Sequence, residues 1–172
     1  MSDSSASVAH GQSQPPPPKS LSDGLTAALA QGALPGEADG FADTARDEAG
    51  VFLARAALHR APATVSIMLE PMAGEGTSRR MRLALINDDM PFLVDSASMI
   101  VAAEGLAVDR ILHPVVTVRR DPDGLLTHVS LERESGERRE SMIYLELERG
   151  DARARRLILR RPLPPGAPTA TR

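Results

Sequence analysis

Four stretches of the chain place apolar residues on one side with a period of two, the repeat of a β-strand. In 64–70, Val65, Ile67 and Leu69 share one side. In 80–87, Met81, Leu83 and Leu85 oppose Ala84 and Ile86. In 125–132, Leu125, Thr127, Val129 and Leu131 oppose Leu126, His128 and Ser130. In 141–148, Ile143, Leu145 and Leu147 oppose Met142, Tyr144 and Glu146. A further strand rich in Val and Ile is predicted over 108–120, with Pro114 at an edge or a bulge because it has no N–H to give to a ladder. Asp121-Pro122-Asp123-Gly124 is a tight-turn sequence, with Pro presetting φ and Gly supplying a positive φ. The last strand, 143–148, is predicted to lie at an unpaired edge, which invites pairing. Antiparallel strands with an apolar face need a second layer to cover it.

Helical periodicity supplies that layer. Phe41, Ala45, Ala49, Phe52 and Ala56, with Leu53 and Ala57 beside them, form an apolar stripe over 41–60. The stripe is Ala-rich, which suits close packing, and Gly50 weakens its middle. A shorter helix is predicted over 21–31, capped by Ser20 or Ser22. A third begins at Asn87-Asp88-Asp89-Met90-Pro91-Phe92. There Asp88 or Asp89 suits the N-cap and Pro91 the first turn. It runs to Glu104, with Leu93, Ala97, Ile100 and Val101 inward and Gly105 as the C′ residue that stops it. The order α–β–β–α–β–β–β predicts an α+β fold. Its centre, β–α–β–β, is the start of a ferredoxin-like unit: an antiparallel sheet with helices packed on one face.

Composition divides the 172 residues and limits the chemistry. Residues 1–19 are Ser, Gln, Gly and Pro with little to bury, so a disordered tail is expected. Residues 20–62 form a helical segment and 63–150 the α+β domain. The Arg- and Pro-rich stretch 151–172 reads as a second disordered tail. The absence of Cys excludes disulfides, Cys-based zinc sites and thiol nucleophiles. The N-terminus lacks a basic region followed by an apolar core, and no apolar run approaches the roughly 18 residues of a membrane span. A cytoplasmic location is expected, with no membrane partner. The net charge of −3 and the four aromatic residues, Phe41, Phe52, Phe92 and Tyr144, argue against nucleic acid as a partner.

Four blocks of sequence carry a resemblance. They are Leu-Ile-Asn-Asp-Asp-Met-Pro-Phe-Leu-Val-Asp-Ser-Ala-Ser-Met (85–99), His113-Pro114-Val115, Val-Arg-Arg-Asp-Pro-Asp-Gly-Leu-Leu (118–126) and Glu-Ser-Met-Ile-Tyr-Leu-Glu-Leu-Glu-Arg (140–149). In that order and approximate spacing they resemble the N-terminal region of the large bacterial NAD-specific glutamate dehydrogenases. The resemblance covers residues 50–150. It implies an ACT-like domain, an amino-acid-sensing type of module, at the start of a much longer chain. In the full-length enzyme, L-glutamate and NAD become 2-oxoglutarate, ammonia and NADH. This chain has no G-x-G-x-x-G fingerprint and no segment resembling the glutamate-binding core. The resemblance therefore implies a regulatory or assembly role without catalysis and no cofactor in this chain, NAD belonging to the full-length enzyme. The partners implied are a second copy, the remainder of a glutamate dehydrogenase, or an amino-acid effector. The chain reads as a fragment, a truncated product or a stand-alone relative. A stand-alone amino-acid sensor and a structural oligomerisation module are the alternatives.

Asn87, Asp88, Asp89 and Asp95 are the polar cluster that invites a functional reading. As an effector site, their carboxylates would hold a ligand ammonium while helix N–H groups hold its carboxylate. As helix caps, the acids would simply answer the macrodipole. Phe92 stands where ACT ligand loops usually have Gly, which opposes amino-acid binding. No metal site is expected, because no loop has the spaced oxygen ligands of an EF-hand. His10, His59, His113 and His128 are scattered. His113 and His128 are placed to meet across the hairpin as cross-strand partners. Ser96 and Ser98 lack a nucleophile-elbow context. No catalytic residue is assigned.

Overall fold

A computed structural model of the chain describes residues 7–8, 16–32, 40–72 and 80–160. In chain order the elements are β1 (Ser7–Val8), α1 (Lys19–Gln31), α2 (Asp43–Ala57), β2 (Ser66–Pro71), β3 (Arg80–Asp88), α3 (Leu93–Ala103), β4 (Val108–Leu112), β5 (Val115–Arg120), β6 (Leu126–Ser130), β7 (Arg138–Glu148) and α4 (Ala152–Arg160). One sheet contains all the strands in the order β1-β2-β3-β7-β5-β6, with β4 also paired to β7. All pairs are antiparallel except the two-residue β1, which runs parallel to Ser66 and Ile67.

β7 is the centre of this sheet rather than its edge. It pairs with β3 along one side from Ser141 to Glu148 and beyond, and with β4 and then β5 along the other. The expectation of an unpaired 143–148 edge is corrected here. Its apolar residues alternate onto two buried faces, so the strand is apolar on both sides, as a central strand must be. The predicted single strand over 108–120 divides at His113-Pro114, yet both halves keep one register: Leu112 faces Tyr144 and Val115 faces Ser141. Pro114 accepts a bond from the Met142 N–H at 2.9 Å. It cannot return one, and the ladder lapses there.

Helices cover both faces of the sheet, not one. Toward α1 and α2 point Ala84, Ile86, Leu112, Val116, Val118, Met142 and Tyr144, which form one core with Leu25, Leu29, Phe52 and Leu53. Toward α3 and α4 point Ile67, Leu83, Leu85, Ile143, Leu145 and Leu147, with Leu93, Ala97, Val101 and Ile158. The result is three layers, the size of sandwich a chain of this length can fill. β3, α3 and the β4–β5 strand form a split β-α-β unit with β7 inserted between the two strands, the ferredoxin-like arrangement. β2 occupies the slot beside β3 that the last strand of such a unit would take.

The second correction concerns the C-terminal stretch. Residues 152–160 form α4, and only 161–172 lie outside the described residues. Asp151 caps the helix, its Oδ1 accepting the Ala154 N–H at 2.7 Å. Ala154 and Ile158, four apart, enter the core beneath. The Arg-rich composition hid that spacing. The expected N-terminal tail, His10 and the loop at 71–78 likewise lie mostly outside the described residues.

Two local readings hold. α3 ends as predicted: Gly105, at φ 71°, donates to Ala102 at 2.9 Å, and Leu106 donates to Val101 at 3.4 Å, a Schellman closure. α2 spans less than predicted, but its stripe is buried. Gly50 is where α1 crosses it. A Cβ there would stand 2.9 Å from the Thr26 backbone nitrogen and 3.0 Å from the Ser22 carbonyl oxygen. Gly50→Ala would remove a helix-weakening residue yet force the two helices apart. Overpacking of this kind costs about 1–3 kcal/mol, so a lower midpoint in urea denaturation is expected despite the better helix propensity.

Candidate functional site

The junction between β3 and α3 does not assemble as a capped helix start. β3 continues through Asp88, whose backbone pairs with Glu140. The N-cap position of α3 is Phe92, and no side chain caps it. The acids are used elsewhere. Asn87 is buried, and its Oδ1 accepts the Asp88 N–H at 2.9 Å. Asp88 binds Arg60. Asp89 is exposed, with its Oδ1 accepting the Ser141 hydroxyl at 3.0 Å. Asp95 lies exposed in the first turn of α3, where its charge suits the helix dipole. The capping role predicted for Asp88 or Asp89 is therefore corrected. β3 ends at Asp88, and Asp88 and Asp89 lie four and three residues before the N-cap position, Phe92.

Phe92 is the unusual residue of this junction. Its φ of 65° and ψ of 12° lie in the left-handed region, which disfavours a bulky side chain. It is also 77% exposed. Burial therefore does not compensate the backbone strain.

Asp88 belongs to a charge cluster that the sequence did not reveal. The β3–β7 register sets Asp88 directly opposite Glu140, two carboxylates side by side. Arg60, from the linker after α2, lies between them. Its Nη2 donates to Asp88 Oδ1 at 2.5 Å and to Glu140 Oε1 at 2.8 Å, and its Nη1 donates to the Thr64 carbonyl. Arg120, at the end of β5, grips Glu140 with both arms of its fork. Nε reaches Oε1 and Nη2 reaches Oε2, each at 2.8 Å. Its Nη1 donates to the carbonyls of Ala57 and Gly124, also at 2.8 Å. Arg60 and Glu140 are buried. Two guanidinium groups thus balance two carboxylates. The hairpin turn is seated against the same knot: Gly124, at φ 84°, would place a Cβ 2.5 Å from the Arg60 carbonyl oxygen. Beside it opens a cleft of about 470 Å³ lined by Arg60, Arg120, Pro122, Gly124 and Arg138. The guanidinium groups at its base are already neutralised by Glu140 and Asp88.

A second polar cluster sits at the opposite end of the same sheet face. Tyr144 donates its hydroxyl to Glu146 Oε1 at 3.1 Å, while Arg80 and Arg110 approach Glu146 Oε2 at 3.3 and 3.6 Å. Burial, then the Glu146 charge, pushes the Tyr144 phenol well above its ordinary range. It remains a donor at any physiological pH. Arg82 binds Glu70 at 2.5 Å and stacks 4.7 Å from the Phe52 ring centroid. The register sets His128 opposite Arg119 rather than His113, and its Nε2 lies 3.7 Å from Glu134. Among the described residues, no group of His, Asp and Glu is arranged to hold a metal ion, and no helix is long and apolar enough to cross a membrane. These clusters were missed because each joins residues far apart in sequence. The one available signal was charge at strand positions such as 88, 120 and 140, in phase with the apolar residues of the same face.

Residues 44–163 match the family model described as glutamate dehydrogenase, ACT1 domain. A curated relative, the NAD-specific glutamate dehydrogenase of Halomonas elongata, is 38% identical over 69 residues, which is 39% of this chain and 4% of that protein. The matched stretch is thus a small part of the relative's length. No solved structure matches the chain.

Two substitutions check this geometry. Glu140→Ala would leave Arg60 and Arg120 buried against each other, and breaking a buried pair in this way costs about 3–5 kcal/mol. Chemical denaturation should show a loss of that order, and a loss below 1 kcal/mol would mean the knot is solvated. Phe92→Asn relieves a left-handed backbone without sacrificing burial and should raise stability by about 0.5–1 kcal/mol.

Proposed function

Because the chain belongs to the family of glutamate dehydrogenase ACT1 domains, we propose that it is a regulatory or assembly domain of a NAD-specific glutamate dehydrogenase, without catalysis of its own. The observation that carries this reading is the extent of the match. It runs from α2 through α4 and takes in nearly the whole three-layer unit. In this reading glutamate oxidation and NAD binding belong to other parts of a longer cytoplasmic enzyme. The domain would act by holding subunits in a fixed arrangement. Its buried ion pairs suit a rigid platform, because they couple both helical and strand elements at one point. The outer strands, β6 and the part of β2 beyond Ile67, offer ladder groups to a second copy.

A second reading, an amino-acid effector site at the β3–α3 junction, draws on one observation. The first turn of α3 has no side-chain cap, and Asp89 and Asp95 are exposed beside it. An amino acid could give its carboxylate to those N–H groups and its ammonium to the acids.

Three measurements separate these readings. The purified chain should form no NADH from glutamate and NAD, and should show concentration-dependent association in sedimentation velocity. NADH formation would overturn the non-catalytic assignment. Thermal melting with a panel of amino acids tests the sensor. A ligand at 100 times its Kd should add about 2.7 kcal/mol, abolished by Asp89→Ala, whereas an unchanged melt leaves assembly as the role.

A further inference from the structure

The described arginines divide into those held in ion pairs among the described residues and those without one, the latter being Arg133, Arg138, Arg139 and Arg149 as well as the four of α4. Every described arginine from Arg46 to Arg120 makes an ion pair. Along α4, by contrast, Arg153, Arg155, Arg156 and Arg160 are exposed and have no ion-pair partner among the described residues. Arg153, Arg156 and Arg160 follow a spacing of three and then four, so they form one stripe of about 10 Å along the outer side of the helix. α4 contains no acidic residue to offset them.

α3 lies in the same layer, sharing the core beneath with Ile158. Its outer side exposes Phe92 at 77% and Met99 at 72%. These two lie seven apart, on one face of the helix. Aromatic residues, Met and Arg are the types enriched in protein interfaces. Phe92 is further held in a strained backbone that its own packing does not compensate.

We propose that the outer face of the α3–α4 layer is a docking surface for a separate acidic protein surface, with Phe92 and Met99 as apolar anchors and the α4 arginines as the charge-matching stripe. Charge complementarity fixes the chemistry of the partner. A two-fold pairing of this face with itself would set arginine against arginine, and like charges opposed across an interface cost several kcal/mol. Nucleic acid would use the arginines but not the apolar pair, and would meet a chain of net charge −3. An anionic bilayer would receive Phe92 and Met99 alone, because on α4 Leu157 and Leu159 are half-buried and Ile158 is buried, too little apolar surface for stable insertion. The proposal does not depend on the glutamate dehydrogenase reading.

The test uses the full chain and a fluorescent synthetic helical peptide with Glu at positions i, i+3 and i+7 and Leu beside them. Binding is followed by anisotropy at two salt concentrations. Two charge reversals are compared, Arg153→Glu with Arg156→Glu, and Arg133→Glu with Arg138→Glu. Both change the net charge equally, and both pairs are exposed. The α4 pair should weaken binding on the order of tenfold or more, with a flatter salt dependence. The control pair should leave it within twofold. Phe92→Ser should weaken it several-fold, with circular dichroism confirming the fold of each variant. Equal loss in both pairs, or no binding at all, would overturn the proposal. So would tighter binding to duplex DNA or to phosphatidylserine vesicles that the α4 reversal abolishes, or a dimer that the α4 reversal dissolves.

Discussion

Two carboxylates face each other across the central ladder, and much of the structure follows from what that requires. Asp88 and Glu140 are register partners on β3 and β7. Opposed like charges destabilise a sheet, and Glu140 is out of reach of water. The pair is tolerable only with a cation between them. Arg60 supplies it from the linker after α2, and Arg120 completes the neutralisation from β5. Each arginine spends its remaining donors on carbonyls of the α2 end, the linker and the hairpin turn. Six segments are thus fixed relative to one another at one point. A buried ion cluster is no guarantee of net stability over an apolar one. Its value here is geometric: a slip of β7 by one residue would turn Glu140 to the other face of the sheet and strand both arginines.

The apolar part of the design is separate from this knot. The sheet face toward α1 and α2 has its core in the middle, with Asp88, Arg120 and Glu140 at one end and Arg80, Arg82, Arg110 and Glu146 at the other. The face toward α3 and α4 is apolar at its centre, with Asn87, Thr117 and Ser141 buried at one end. α1 and α2 therefore sit between two ion clusters, while α3 and α4 pack mainly through apolar burial. Gly50 lets the first pair of helices approach closely.

Local signals in the sequence translated well into structure. Period-two spacing found the strands even though β3 and β7 are buried on both faces and carry apolar residues on each, and Gly105 and Gly124 marked a helix end and a turn through their positive φ. The resemblance blocks pointed to the family that the match over 44–163 then established. What was illegible depended on distance along the chain. The placement of β7 at the centre follows from pairings with β3 on one side and β4 and β5 on the other, which no window of local sequence contains. α4 was read as a tail because arginines masked the Ala154–Ile158 spacing. Of the candidate cluster Asn87, Asp88, Asp89 and Asp95, Asp88 finds its partner in Arg60, which lies 28 residues away.

The two outer layers of the domain also differ in sign. α2 carries exposed Asp47 and Glu48, while Asp23 of α1 is paired with Lys19; on the other side the four arginines of α4, its only charged residues, outweigh the exposed Asp95 of α3. The molecule therefore has an electric moment directed through its thickness, from one helical layer to the other. In the field of a charged neighbour such a body experiences a torque before any contact forms, and fields of this kind reach about a Debye length, roughly 8 Å at physiological salt. The domain would arrive already turned, and fewer encounters would be wasted on the wrong face.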